Sequence, residues 1–275
     1  MADRPQLHAR WRPAAEERGA ALVVHGYGEH SGRYEHVFAA LNACGRSCLG
    51  IDYRGFGQAS GRRSYVRSFD EYLDDVQWGL DELRRHTDRA PVLLGHSQGG
   101  LIAALFAIER APTLAGLVLS SPALRFALRV PAWKRALAHL LSAAWPTFAL
   151  PSKVDARDLT QDEGLREALR EDPLIVRVGT ARWYTESLRA QRRALAGAAR
   201  VVTPTLLQVA GSDRVVDASV TRAFCERLGA TDVSWVDYPA LFHEVYQEAA
   251  AGRGEALADL CRWLDGARGD DLTRR

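Results

Sequence analysis

The chain has 275 residues, of which 47% are hydrophobic and 25% charged, a composition that is ordinary for a globular protein and gives no sign of disorder. The 36 basic and 34 acidic residues are spread along the chain, so no basic arm or stripe points to nucleic acid as a partner. The N-terminus lacks the pattern of a signal peptide, and no apolar run of about 18 residues predicts a membrane span.

Short apolar runs that end in glycine or polar turns alternate with longer segments whose apolar residues recur every three or four positions. The first pattern predicts buried strands, and the second predicts helices that pack one face on a sheet. Strands are predicted near residues 6–12 and at 20–25, 47–52, 91–96, 115–120, 204–210 and 233–238. Helices are predicted at 34–44, 69–86, 99–110, 217–228 and 253–265. This alternation favours an α/β fold with a mostly parallel central sheet flanked by helices.

The alternation stops for about eighty residues after Ser121-Pro122. Because a structureless loop of that length would be exceptional in a compact domain, residues 123–202 are predicted to be helical. We call this segment the insert and expect it to form a cap on a core made of residues 1–122 and 203–275. Its apolar first half either packs on the core or faces lipid or substrate, and its charged second half predicts solvated helices.

A G-x-S-x-G pattern, Gly95-His96-Ser97-Gln98-Gly99, lies between a predicted strand and a predicted helix. A five-residue match arises readily by chance, but this context is the one in which a tight strand-to-helix turn presents a nucleophilic serine to solvent. Ser97 is therefore the predicted nucleophile. Its hydroxyl needs a base near neutral pH, and histidine has the pKa suited to that role.

In this type of turn the acid and then the histidine follow the serine along the chain. His243 follows the last predicted strand, whereas His139 lies in the apolar part of the insert, so His243 is the predicted base. Asp213 stands directly after the preceding strand, where sites in open α/β sheets assemble, and is the predicted acid. Asp217, four residues further on, is the nearest alternative, although it could instead cap a helix.

An acyl-transfer site of this type also needs two backbone N–H donors for the oxyanion, one of them from the residue after the nucleophile. Gln98 supplies that donor. The second is predicted at Tyr27, which stands between two glycines directly after an early strand, in His25-Gly-Tyr-Gly28.

Neither a metal nor an organic cofactor is expected. The histidines match no metal-ligand spacing, and the four cysteines contain no CxxC pair. Free thiols imply a reduced, cytoplasmic setting.

Several longer motifs run in order over nearly the whole chain. They are His25-Gly-Tyr-Gly-Glu-His-Ser-Gly-Arg-Tyr34, Asp52-Tyr-Arg-Gly-Phe-Gly-Gln-Ala-Ser-Gly61, Gly95-His-Ser-Gln-Gly-Gly100, Ser121-Pro122, Asp172-Pro-Leu174, Gly211-Ser-Asp213 and His243-Glu244. In these motifs the chain resembles the monoacylglycerol lipase and lysophospholipase branch of the α/β-hydrolases, grouped as the serine aminopeptidase S33 type. The resemblance implies an α/β-hydrolase fold with a helical cap inserted before the last strands.

The resemblance also implies a function. A triad of Ser97, Asp213 and His243, with Tyr27 and Gln98 at the oxyanion hole, would hydrolyse a monoacylglycerol to fatty acid and glycerol through an acyl-enzyme. Lysophospholipase or short-chain carboxylesterase activity, and less readily aminopeptidase activity, are the alternatives on the same machinery. The expected partner is a lipid ester, with transient contact between the cap and a membrane surface; the oligomeric state is not predicted.

Two further residues take a role from this resemblance alone. Glu29 and Arg33 would hold the glycerol head group, although both could equally form a structural ion pair. The chain also departs from the family pattern, since Gln98 replaces the more usual methionine, Phe56 a common histidine and Ala240 a glycine. Only the backbone of residue 98 is needed for the oxyanion, so Gln98 is expected to affect the substrate preference.

Overall fold

A computed structural model describes residues 5–128, 130–152, 154–267 and 272. In chain order the strands are β1 (His8–Arg12), β2 (Gly19–Val24), β3 (Arg46–Asp52), β4 (Val92–His96), β5 (Gly116–Ser120), β6 (Ala149–Pro151), β7 (Val178–Thr180), β8 (Thr205–Ala210) and β9 (Val233–Tyr238). The helices are α1 (Glu35–Ala43), α2 (Asp70–Leu83), α3 (Gln98–Arg110), α4 (Ala132–Ala144), α5 (Ala156–Leu159), α6 (Glu163–Glu171), α7 (Ala181–Gly197), α8 (Ala218–Cys225) and α9 (Ala250–Leu264).

Seven of these strands form one sheet in the order β1-β3-β2-β4-β5-β8-β9, in which only β1 runs antiparallel to its neighbour. The predicted mostly parallel sheet is confirmed. The central strands β4 and β5 are buried over their whole length, because helices cover both faces of the sheet. Their sequences are accordingly continuous apolar runs without polar alternation.

Two apolar clusters lie on opposite faces of the sheet and hold the flanking helices. One contains the buried residues of α2, α3 and α7, and the other contains those of α1 and α9. All the helices predicted outside the insert are present, with ends within a few residues of the predicted ones.

The described residues of the insert form four α-helices, α4 to α7, and a two-stranded ribbon of β6 and β7 that the sequence did not predict. Each strand of the ribbon has only three residues, too few to show a periodic pattern. Among the described residues, no helix has both the length and the apolar character needed to cross a bilayer.

Much of the apolar first half of the insert faces solvent. Large apolar side chains are exposed on and around α4, namely Leu128, Trp133, Leu137, Leu140, Trp145 and Leu150. Packing against the core therefore accounts for only part of this segment, including the fully buried Leu124. We call this exposed set the apolar patch.

The prediction that the charged second half of the insert is solvated is wrong for one face of α7. Ala190 and Ala194 are completely buried in the cluster that contains α2 and α3. Most charged side chains of α7 occupy its other faces, although Glu186 is buried and accepts a hydrogen bond from the N–H of Phe69. The helix thus joins the insert to the core.

At the turn from β4 to α3, backbone segments pack very closely against one another. Ser97 has φ 51°, in the left-handed region that is strained for a residue with a side chain. A Cβ on Gly99 would lie 2.1 Å from the carbonyl oxygen of Val24, and one on Gly95 would lie 2.2 Å from that of Gly99. Both neighbours are backbone atoms that no change of rotamer can remove, so the two glycines are sterically required.

We predict that Gly99→Ala destabilises the protein by about 3 kcal/mol or more, the upper end of the range for overpacking, because the new methyl group meets backbone. The matched control is Gly254→Ala on α9, where a Cβ would have no heavy atom within 4 Å. This change should stabilise the helix by up to about 1 kcal/mol. Urea unfolding of both variants measures the difference, and equal stabilities would contradict the packing argument.

Candidate active site

The structure brings the predicted serine, histidine and acid into one hydrogen-bonded chain. Ser97 stands at the start of α3, Asp213 in the loop after β8 and His243 in the loop after β9. The Nε2 atom of His243 lies 2.8 Å from the Oγ atom of Ser97, and its Nδ1 atom lies 2.7 Å from Oδ2 of Asp213. The arrangement can therefore remove a proton from the serine and stabilise the resulting imidazolium.

The hydrogen bonds of Asp213 and of Asp217, its alternative as the acid, are different. The second oxygen of Asp213 accepts hydrogen bonds from the N–H groups of Val215 and Val216, at 2.8 and 3.0 Å. Asp217 instead caps α8, where it accepts from the N–H of Ser219. His139 is exposed on α4, and among the described contacts it forms no part of this chain.

Burial and charge act in opposite directions on His243. Burial disfavours its protonated form, but the Asp213 carboxylate, with smaller contributions from Glu244 and Glu29, outweighs burial and raises the pKa of His243 above 6.5. For the neighbouring His96, burial and the proximity of His243 outweigh the nearby carboxylates of Glu29, Glu244 and Asp213 and lower its pKa to about 4. His96 is therefore neutral near pH 7 and adds no competing positive charge.

The loop that follows β2 packs against the nucleophile. A Cβ on Gly26 would lie 3.2 Å from the Cβ of Ser97, so a side chain at Gly26 would crowd the serine. Tyr27 is the next residue in this loop. Gln98 is the first residue of α3, and the first N–H groups of a helix have no partner within the helix. Both predicted oxyanion donors thus belong to backbone beside Ser97.

Glu29 and Arg33 lie in a buried ion-pair network. Glu29 accepts hydrogen bonds from the N–H of Gly26 at 2.6 Å and from the hydroxyl of Tyr34 at 2.8 Å. The guanidinium of Arg33 pairs with Glu29 at 2.5 Å and with both oxygens of Glu244 at 3.0 and 2.8 Å. Glu29 and Arg33 therefore make most of their hydrogen bonds within the protein. This supports a structural ion pair rather than binding of a glycerol head group.

Charge pairing keeps Glu29 ionised despite its burial. Burial alone would raise the pKa of Glu29, but the adjacent Arg33 guanidinium, with smaller contributions from His96, His25 and the Tyr34 hydroxyl, outweighs burial and lowers this pKa to about 2. Glu29 and Glu244 both pair with the guanidinium of Arg33.

Three of these groups come close enough together to suggest metal ligands. Atoms of Glu29, His96 and Glu244 lie within 4.8 Å of one another. The two carboxylates are already engaged by Arg33, and His96 Nδ1 lies 3.0 Å from the hydroxyl of Ser120. A divalent cation would have to displace or oppose the guanidinium, so these residues do not fit a metal site.

Three residues near the site were not predicted from the sequence. Glu244 was noted only as part of a motif, and its pairing with Arg33, 211 positions away, has no local signal. Tyr53 also lay within a motif, but nothing in its spacing indicated a contact with the loop at Gly26. Trp183 lies in the charged half of the insert, and only its position beside Tyr184, as a pair of aromatic residues among charged ones, is a signal in the sequence.

The fold and the site together define a serine hydrolase with the α/β-hydrolase fold. A family model described as serine aminopeptidase, S33, matches residues 15–250, and the chain belongs to this family.

Individual relatives match over nearly their whole length. The chain is 28% identical to a monoacylglycerol lipase of Mycolicibacterium smegmatis over 256 residues, which cover 92% of this chain and 90% of that relative. It is 30% identical to phospholipase YtpA of Bacillus subtilis over 241 residues, covering 86% and 93%. The crystal structure of Paleococcus ferrophilus monoacylglycerol lipase superposes with a TM-score of 0.86 at 29% identity, covering 94% of this chain and 98% of that one. The resemblance seen in the sequence motifs is confirmed.

The raised pKa of His243 predicts the pH dependence of activity. A base must be unprotonated, so kcat/KM on a water-soluble ester should fall as the pH drops through an apparent pKa above 6.5. Asp213→Asn removes the charge that raises this pKa and should move the acid limb to lower pH. It should also lower kcat by about 10⁴-fold, by analogy with the trypsin triad, because the amide favours the wrong tautomer.

The matched control is Asp217→Asn, since Asp217 caps α8 and has no contact with His243. Its profile should coincide with that of the wild type. A limb that shifts with Asp217→Asn and not with Asp213→Asn would show that the acid has been assigned to the wrong residue.

Proposed function

We propose that the protein hydrolyses a single-chain lipid ester, with monoacylglycerol as the preferred substrate class. The observation that carries the proposal is the Ser97–His243–Asp213 chain of hydrogen bonds in a family member that matches monoacylglycerol lipases over nine-tenths of both chains. In this proposal residues 123–202 form a cap beside the site, and apolar side chains of the first half of this cap contact the acyl chain of the substrate.

The reaction proceeds in two acyl-transfer steps. Ser97 Oγ attacks the ester carbonyl while His243 Nε2 accepts its proton, and the N–H groups of Tyr27 and Gln98 receive the oxyanion. His243 then returns the proton to the leaving glycerol. A water molecule, deprotonated by the same imidazole, then attacks the acyl carbonyl; the bond to Ser97 Oγ breaks, the imidazolium returns its proton to that oxygen, and the fatty acid leaves. Asp213 stays ionised throughout, because its hydrogen bonds and the histidine lower its pKa against the effect of burial.

A lysophospholipid is the second candidate substrate, favoured by the similarity to a Bacillus phospholipase. The buried ion pairs weigh against it. Arg33 is already bound by Glu29 and Glu244 and is not placed to receive a phosphate group. The uncharged glycerol head group needs no such partner.

Hydrolysis of 1-monooleoylglycerol, lysophosphatidylcholine and p-nitrophenyl esters from acetyl to palmitoyl tests the substrate class. We expect turnover of the glyceride to exceed that of the lysophospholipid, and longer acyl esters to be preferred over acetyl. Preference for acetyl with no turnover of the glyceride would overturn the lipase proposal. A fluorophosphonate probe should label the wild type and leave Ser97→Ala unlabelled, which tests the nucleophile separately.

We also propose that the apolar patch contacts a lipid surface, from which such a substrate would enter. Trp133, Leu137 and Leu140 lie on one exposed face of α4, and the cations Lys134 and Arg135 beside them can meet anionic head groups. This combination of apolar face and flanking positive charge is typical of helices that lie in a membrane interface.

Replacing Trp133 and Leu140 together by serine should weaken binding to liposomes at least about tenfold, because two large apolar side chains lose their transfer free energy. Flotation with vesicles of phosphatidylcholine and phosphatidylglycerol measures the bound fraction. The control is Val202→Ser, which alters an exposed apolar residue outside the patch. Equal binding of both variants and the wild type would refute the membrane contact.

A further inference from the structure

A chain of hydrogen bonds connects the insert to the peptide group at the oxyanion site. The indole Nε1–H of Trp183 donates to Gln98 Oε1 at 2.7 Å, and the Gln98 amide Nε2 donates to the hydroxyl of Tyr53 at 3.2 Å. The Tyr53 hydroxyl in turn donates to the carbonyl oxygen of Gly26 at 2.9 Å. We call these four groups the relay. Gln98 and Tyr53 are buried, and Trp183, on α7, is half-buried.

The direction of the relay is fixed by chemistry. An indole N–H can only donate, so Gln98 must turn its oxygen toward Trp183 and its NH₂ group toward Tyr53. The Tyr53 oxygen then accepts from Gln98, and its own proton is free for the carbonyl of Gly26. Each bond therefore determines the orientation of the next one.

The relay ends on the peptide group that carries the proposed oxyanion donor. In a trans peptide the C=O of one residue and the N–H of the next lie in one plane and point in opposite directions. Fixing the carbonyl of Gly26 thus fixes the direction of the Tyr27 N–H. The same carbonyl also lies 2.8 Å from Nδ1 of His25, whose ring stacks on Tyr53 with centroids 4.2 Å apart.

The insert holds the same loop at further points. The Trp183 ring stacks on the ring of Tyr27 with centroids 4.0 Å apart, and the Tyr27 hydroxyl donates to the carbonyl of Val178. The N–H of Val176 donates to the carbonyl of Gly28 at 2.7 Å. Residues 176–183 therefore contact the side chains of both proposed oxyanion residues as well as the backbone of Gly28.

We propose that Trp183, Gln98 and Tyr53 are positioning residues that set the orientation of the Tyr27 N–H for the oxyanion, with Trp183 as the contribution of the insert. This inference rests on the proposed acyl-transfer function. It gives the Gln98 side chain a role beyond that of its backbone, since a methionine at this position could accept only weakly from the indole and could not donate to Tyr53.

The test compares Trp183→Phe, Gln98→Met and Tyr53→Phe with the wild type on p-nitrophenyl butyrate. Outright loss of one oxyanion donor costs about 100- to 1000-fold in rate, so a donor that is retained but loosened should cost less, about 10-fold in kcat. KM should change by less than about twofold, because the ground-state carbonyl depends little on this donor. The inhibition constant of an alkyl trifluoromethyl ketone, which forms a tetrahedral oxyanion on the serine, should rise by the same factor as kcat falls.

Coupling distinguishes a relay from three separate packing defects. Once one bond is broken, breaking another should cost little more, so Trp183→Phe combined with Tyr53→Phe should resemble the worse single variant. Full additivity of the two losses, or single variants that fold and keep wild-type kcat and inhibitor affinity, would overturn the proposal.

Two controls have the same chemical changes elsewhere. Tyr238→Phe removes a buried hydroxyl that donates to Asp259 within the other apolar cluster, and Trp11→Phe alters an indole that stacks on His86. Both should leave kcat and inhibitor affinity unchanged even where stability falls. If the wild type itself cleaved no ester, the proposed function would fail; normal wild-type activity with unaffected relay variants would overturn the relay alone.

Discussion

The close approach of backbone to backbone around Ser97 is the constraint on which the rest of the site depends. The strained residue is held by its own peptide groups, since its N–H donates to the carbonyl of Ser120 and its carbonyl accepts from Leu101 and Ala123. These bonds connect Ser97 to β5, to α3 and to the start of the insert. The surrounding sheet therefore compensates for the unfavourable backbone conformation, and any motion of the serine would disturb all three elements.

The buried charges behind the site are organised around the histidine. Asp213, Glu29 and Glu244 all favour the protonated form of His243, while Arg33 pairs with both glutamates and helps to lower the pKa of Glu29. A positive charge that develops on the imidazole during attack thus meets a preorganised negative environment. The neutral His96 completes the arrangement, because a second imidazolium there would oppose this effect.

Local patterns predicted the strands and most helices because apolar periodicity directly reports which faces are buried. They also predicted Ser97, Asp213 and His243 in their mutual order, since chain order constrains where each side chain reaches the sheet edge. The ribbon of β6 and β7 is too short to carry a period. The buried face of α7 consists of small residues such as Ala190 among charges, so it resembles a solvated helix in sequence. Contacts such as Arg33 with Glu244 depend on tertiary folding and leave no trace in nearby residues.

Within the described part of the chain, residues 176–183 of the insert are attached to the loop after β2, whereas α4 is not, so the insert has an attached part and an outer part. The stretch from Val176 to Trp183 shares hydrogen bonds and ring stacking with the core, whereas α4 projects apolar side chains into solvent. It follows that an insert exchanged between two family members would not be an independent module. A chimaera would have to inherit the residues at positions 53, 98 and 183 as a set, because each hydrogen-bonding group is useful only in the presence of its partner.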